Sequence, residues 1–395
     1  MIKLLVYRIA PIALRPLAIY LEGMLPGKPT ILVLSIPIAM MALTLSSIPV
    51  YRDYYMSRSD DPAYLIKKHA YMSGLVWLMV AAIALLILVL MTPIIDYSWR
   101  FVAIVCFTFI IEKLSEECSR ALEFRKQFFG WFLVQVYRSI WVFIVFILLS
   151  FNNNYQFIYL LISAFSALGV SFIFMKVIGR PSFLTTKGII AIRKNFAYIV
   201  GTFLPASYRQ LPRIAIVKWY PEQAHTFVAL AQLAQGVGIL FNVRYQIPYR
   251  KLIARRPLMF QRRLEPTMKK LLGFPAVLVM VYLMGPMFID LSDLSTITQM
   301  VLLTPIVVAD ALLFAIMSVH LGYVQWASGI TRAVTFYIVC ICIALAFCAV
   351  LWVVDAIDSV NLSGIPSSTI FIGLLWLVTA KLFFFKSSDF SKRTQ

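Results

Sequence analysis

Residues 128–150 read "FFGWFLVQVYRSIWVFIVFILLS". A helix that crosses the hydrocarbon layer of a membrane needs about 20 mainly apolar residues. Neither "FFGWFLV" nor "IWVFIVFILLS" reaches that length alone, but the two joined through Gln135 and Arg138 do. The stretch therefore reads as one spanning helix with a guanidinium near mid-depth. A membrane protein does not carry such a charge without a physical reason, and the rest of the chain has to supply it.

Composition supports the membrane setting. Of 395 residues, 61% are apolar and 13% charged, against roughly 45–50% and 25% in soluble domains. Apolar runs recur along the whole length, and no polar stretch is long enough to make a separate soluble module. The opening "MIKLLVYRIAPIALRPLAIYLEG" is basic at its start, like a signal peptide. It lacks a small-residue cleavage site and runs almost directly into the next apolar segment, so it reads as a retained first helix. The chain is expected to be an all-α polytopic membrane protein.

Twelve spans are expected, near 2–24, 30–50, 71–92, 97–113, 128–150, 155–177, 195–218, 224–246, 270–290, 296–319, 332–354 and 366–386. The connections sort by charge. Loops 51–70, 114–127, 178–194 and 247–269 are basic, as are both chain ends, whereas the alternate loops are short and poor in Lys and Arg. Loop 320–331 is almost uncharged up to Arg332. Basic loops stay on the cytoplasmic side, so both termini are expected there. Much of the formal net charge of +19 then sets orientation or meets anionic lipid heads, and nucleic-acid binding is not implied.

Several motifs fail on their chemistry. "GMLPGKPT" (23–30) is one residue short of a phosphate-binding loop and has Pro29 where the helix should begin, so it reads as a turn between two spans. The acids of "SDDP" (59–62) sit in a loop expected to be cytoplasmic, on the wrong side for an external glycosyl-transfer site. His69, His225 and His320 lie near helix ends, with no Ser or Cys nucleophile beside them. The cysteines, Cys106, Cys118, Cys340, Cys342 and Cys348, have no metal-site spacing and read as packing residues.

Charges inside the spans are the functional candidates: Arg8 and Arg15 in the first, Arg138 in the fifth, Arg209 and Arg213 in the seventh, and Asp310 in the tenth. Arg209 and Arg213 are four apart and share a helix face. With Asp310 the one acid counted among them, the cations are expected to outnumber their partners and to meet an anionic visitor. Arg suits phosphate, which it grips with two parallel N–H bonds. The competing reading is that these arginines pair with Asp310, with backbone carbonyls or with lipid phosphates.

Residues 207–235, "SYRQLPRIAIVKWYPEQAHTFVALAQLAQ", carry Arg209, then an apolar stretch, a short turn with Glu222 and a helix of small residues. This layout, together with "EECSRALEFRKQFF" (116–129), resembles the polysaccharide (O-antigen type) flippases of the multidrug/oligosaccharidyl-lipid/polysaccharide exporter superfamily. Tyr208 stands where that family usually has an acid. The resemblance implies two six-helix bundles, 1–180 and 181–395, around a central cationic cavity. It implies an undecaprenyl-diphosphate-linked oligosaccharide as cargo, moved by alternating access out of the cytoplasmic leaflet of a bacterial inner membrane. Arg8, Arg15, Arg138, Arg209 and Arg213 would hold the diphosphate, and Asp310 would couple transport to H+ or Na+. Membrane lipids and polysaccharide-assembly membrane proteins would be its partners; no cofactor, metal or catalytic residue is expected. Two other functions use the same features: a membrane-embedded polymerase or ligase acting on the lipid-linked glycan, and an ion-coupled small-molecule exporter of the same fold. The short external loops speak against the first, and the sign of the buried charge against the second.

Overall fold

A computed structural model of the chain describes residues 13–45, 98–149, 154–179, 210, 213–214, 217 and 224–233. A backbone in lipid has no water to bond to, so each N–H and C=O must find a partner within the protein. Helices meet that demand locally, and among the described residues all regular structure is helical. In chain order these are α1 (residues 13–22), α2 (Ile31–Leu45), α3 (Trp99–Phe124), α4 (Phe128–Leu149), α5 (Tyr155–Val177) and α6 (Ala224–Leu233). Gln210, Arg213, Ile214 and Val217 are also helical.

Two of these helices, α4 and α5, are long and apolar enough to cross a membrane. Each divides into a buried face and an exposed apolar face. On α4, Leu133, Ile140, Ile144 and Ile147 are exposed, while Val134, Trp141, Val142 and Val145 are buried. On α5 the exposed stripe is Phe157, Leu161, Phe165, Leu168, Phe172 and Met175. Large apolar stripes of this kind would be a liability in water; facing lipid tails they are in a matching solvent. The start of α5 is set by Asn154, whose side chain accepts the Phe157 N–H at 3.3 Å. Inside it, the Ser163 and Ser171 hydroxyls donate to the Leu160 and Ala167 carbonyls, so neither needs an outside partner.

The helix α3 is the centre of the packing and touches α2, α4 and α5. Its Phe109 packs with Ala39, Ala42 and Leu43 of α2, and Met40 lies against the same cluster. The run Ile31–Ala39 of α2 is buried throughout, as suits a helix apolar on all sides. Tyr137 of α4 crosses Gly169 of α5 and donates to the Ser166 carbonyl at 3.1 Å. A Cβ on Gly169 would stand 2.0 Å from the Tyr137 hydroxyl oxygen, so the crossing requires glycine.

One connection differs from its sequence reading. Residues 114–127, expected as a basic loop and a connector between spans, continue α3 as far as Phe124. The charges there satisfy one another along the helix. Lys113 pairs with Glu117 at 2.7 Å, and Arg120 pairs with Glu116 and, at 3.5 Å, with Glu117. Only residues 125–127 join α3 to α4, with Lys126 at φ 59° in the left-handed region and its N–H closing on the Glu123 carbonyl. The "GMLPGKPT" segment is a turn as read, with positive φ at Gly27 and Lys28.

The chain divides into two compact units, Met1–Leu233 and Ala234–Gln395, and every described residue lies in the first. The third and ninth to twelfth expected spans, and the residues on either side of the expected boundary at 180, lie outside the described residues.

Candidate functional site

Three charged side chains from three helices meet at Glu112. It stands midway along α3 and is 2% exposed. Arg15 of α1 donates from Nη2 to Glu112 Oε1. Arg138, midway along α4, donates to Oε2 from Nε at 2.7 Å and from Nη2. Arg138 Nη1 also reaches Gln135 Oε1 at 3.4 Å, and Gln135 in turn donates to Ser119 Oγ at 2.7 Å. The Arg138 Nη2 atom lies 3.9 Å from the Met40 sulfur. One carboxylate thus ties α1, α3 and α4 together.

The electrostatic balance of this triad is uneven. Two guanidiniums against one carboxylate leave a formal excess of one positive charge. Glu112 is sealed, and the arginine side chains are largely buried, at 12% and 13% exposed. Arg15 makes one hydrogen bond, to Glu112, among the described residues.

The sequence therefore placed Arg15 and Arg138 correctly inside helices but miscounted their partners. Glu112 lies at the edge of the expected span 97–113, and Asp310 is the one acid the sequence sets against the arginines. The extension of α3 moves Glu112 to mid-helix and makes it the shared partner. A span edge drawn by hydropathy hides an acid in this way. The available signal was the series Lys113–Glu117 and Glu116–Arg120, whose i,i+4 spacing supports continued helix.

Arg213 is also buried. It donates to Gln210 Oε1 and to the Ala231 carbonyl of α6, both at 3.1 Å. It thereby ties its own helical segment to α6 and does not join the triad. Arg8, Arg209 and Asp310 lie outside the described residues.

A second buried acid, Glu22 at the end of α1, was also missed. Its carboxylate is 0% exposed and accepts the N–H of Leu32 at 2.8 Å and of Val33 at 3.3 Å, which caps the N-terminus of α2. That end of a helix carries unsatisfied donors and partial positive charge, so an anion there is stabilising. His225, at the start of α6, places Nε2 3.5 Å from Glu22 Oε2 and 2.9 Å from the Pro29 carbonyl. Gly23 lets the imidazole approach: a Cβ there would stand 2.7 Å from the His225 Cβ. The end of α1 and the starts of α2 and α6 are thus joined by one acid and one imidazole. Among the described residues no group of His, Cys, Asp and Glu could hold a metal ion. Cys106 and Cys118 are free thiols.

The sequence matches no protein-family profile and no curated protein. Among solved structures it matches the crystal structure of the eukaryotic MATE transporter AtDTX14 with a TM-score of 0.55. The match covers 98% of this chain and 96% of that one, at 10% sequence identity. The chain shares the fold of that transporter, and its described residues form helices, two of them long and apolar enough to cross a membrane.

Proposed function

We propose that the chain is a flippase that moves an undecaprenyl-diphosphate-linked oligosaccharide between membrane leaflets by alternating access. A transporter fold over nearly the whole chain supports transport in general. The observation that carries the choice of cargo is the unequal triad. Arg15 and Arg138 share one acid and leave one formal positive charge within the helices. Such a site attracts an anion in low-dielectric surroundings, and two guanidiniums can donate N–H bonds to both phosphates of a diphosphate. The lipid tail would remain in the bilayer. Arg8, Arg209 and Arg213 are proposed as further contacts to the diphosphate, and Asp310 as the coupling acid.

A second reading is an ion-coupled exporter of small molecules. It is favoured by the fold, shared with a MATE transporter, and its acid would be Glu112. Binding separates the two. Purified protein is titrated with undecaprenyl-diphosphate glycan and, in parallel, with a lipophilic cation. The flippase reading expects the glycan to bind, and Arg15→Gln and Arg138→Gln each to weaken it by about 1.5–3 kcal/mol, the scale of a hydrogen bond to a charged group. Cation binding lost in Glu112→Gln, with no glycan binding, establishes the exporter instead.

A further inference from the structure

Glu112 is the acid of the triad, so simple electrostatics makes it an opponent of any anionic cargo. The geometry points to the opposite role: we propose that Glu112 is a positioning residue, which holds Arg15 and Arg138 at a fixed separation so that together they can receive a diphosphate. The inference rests on the reading that these two arginines bind the cargo's phosphates, and it deepens that reading.

Three observations carry it. First, the two guanidiniums bond different oxygens of one carboxylate, Arg15 on Oε1 and Arg138 on Oε2. Their spacing is therefore set by the width of that carboxylate, although they come from α1 and α4. Like charges so close repel, and without an acid between them each would swing to its own side. Second, Glu112 is the more deeply buried member, 2% exposed against 12% and 13% for the arginine side chains. A cargo would meet the guanidiniums from the side away from the carboxylate. Displacing Glu112 from a 2% exposed position would strand an unpaired charge, which is more costly than leaving it in place. Third, Arg138 is held on both flanks. Its Nε and Nη2 bond Glu112, its Nη1 bonds Gln135, and Gln135 is fixed by Ser119 of the same α3 helix. A chain of bonds that returns to α3 orients a planar fork; neutralising a charge does not need it.

The test turns on sign. Replacing Glu112 by Gln raises the formal charge of the triad from +1 to +2. If the acid only opposes the cargo, affinity for an anion rises. If it positions the arginines, affinity falls in spite of the added charge. The full-length protein in detergent is titrated with undecaprenyl diphosphate and with undecaprenyl monophosphate, as wild type, Glu112→Gln and Glu112→Asp. Wild type is expected to prefer the diphosphate. Glu112→Gln is expected to bind it about tenfold more weakly and to lose most of the preference over the monophosphate, which loss of fold stability alone would not change. Glu112→Asp keeps the charge but is one methylene shorter, so it should fall between the two. Equal or tighter binding by a Glu112→Gln protein that elutes like wild type overturns the proposal. Should Glu112→Gln not yield folded protein, Glu112→Asp decides: affinity and preference reduced about threefold or more support positioning, and wild-type values overturn it. Failure of the wild type to bind either lipid overturns the phosphate reading itself, and the positioning role with it.

Discussion

Removing the acid of the triad should cost more stability than removing either arginine. In Arg138→Gln the three bonds from Arg138 to Glu112 and Gln135 are lost, but Glu112 retains Arg15 and no charge is stranded. Hydrogen bonds to charged groups contribute about 1.5–3 kcal/mol each in soluble proteins. Polar contacts in membrane proteins average nearer 0.6 kcal/mol, because the unfolded chain in lipid also finds partners. The expected loss for Arg138→Gln is therefore about 1–3 kcal/mol. In Glu112→Gln two guanidiniums from α1 and α4 lose their shared partner at once, and breaking a buried pair so that charge remains costs about 3–5 kcal/mol. The assay is equilibrium unfolding by SDS in mixed micelles, comparing Arg15→Gln, Arg138→Gln, Glu112→Gln and the double variant Glu112→Gln with Arg138→Gln. The double variant should be at least as stable as Glu112→Gln alone, because it removes one of the stranded charges. A cost for Glu112→Gln no greater than for Arg138→Gln, or single effects that simply add in the double variant, would show that Glu112 is not the shared partner of both guanidiniums.

Other outcomes follow from single contacts. Glu22→Gln should expose the start of α2 at a cost of about 1 kcal/mol, as for loss of a helix cap, and hydrogen exchange at Leu32 and Val33 should quicken; unchanged exchange there contradicts the capping role. Gly169→Ala should cost about 1–3 kcal/mol, the usual penalty for overpacking, because the new methyl would collide with the Tyr137 hydroxyl, and Tyr137→Phe in the same chain should recover part of it in SDS unfolding. Residues 114–124 should be protected from hydrogen exchange in folded protein, since they are helix and not a connecting loop. Cys118, 0% exposed, should resist maleimide in folded protein, whereas a cysteine at Met24, 62% exposed, should react; peptide mass mapping reads both.

The sequence disclosed helices better than helix partners. The span 155–177 matches α5 residue for residue, because an unbroken apolar run there is bounded by Asn154, a capping residue, and by Lys176 in the last turn. The span 128–150 matches α4 to within one residue in spite of Arg138, since the apolar blocks on either side have no other way to reach across. The end of α3 was lost because hydropathy counts charge against a span, while a helix can run past the apolar layer on paired side chains such as Lys113 and Glu117. That error concealed Glu112, and with it the geometry of Arg15 and Arg138. Glu22 was concealed differently: its partners are backbone N–H groups across a turn and an imidazole about 200 positions away, and nothing in the local sequence announces such contacts.

Positive charge inside the helices is proposed to receive a lipid-linked diphosphate. Translocation is the most direct test. Proteoliposomes carrying the full chain and a fluorescent undecaprenyl-diphosphate oligosaccharide are followed by quenching of the label that reaches the outer leaflet. Translocation is expected above that of protein-free vesicles, slowed about tenfold or more by Arg138→Gln and by Arg15→Gln. Movement at the same rate in all three proteins, or in none while a cationic dye is exported, would contradict it.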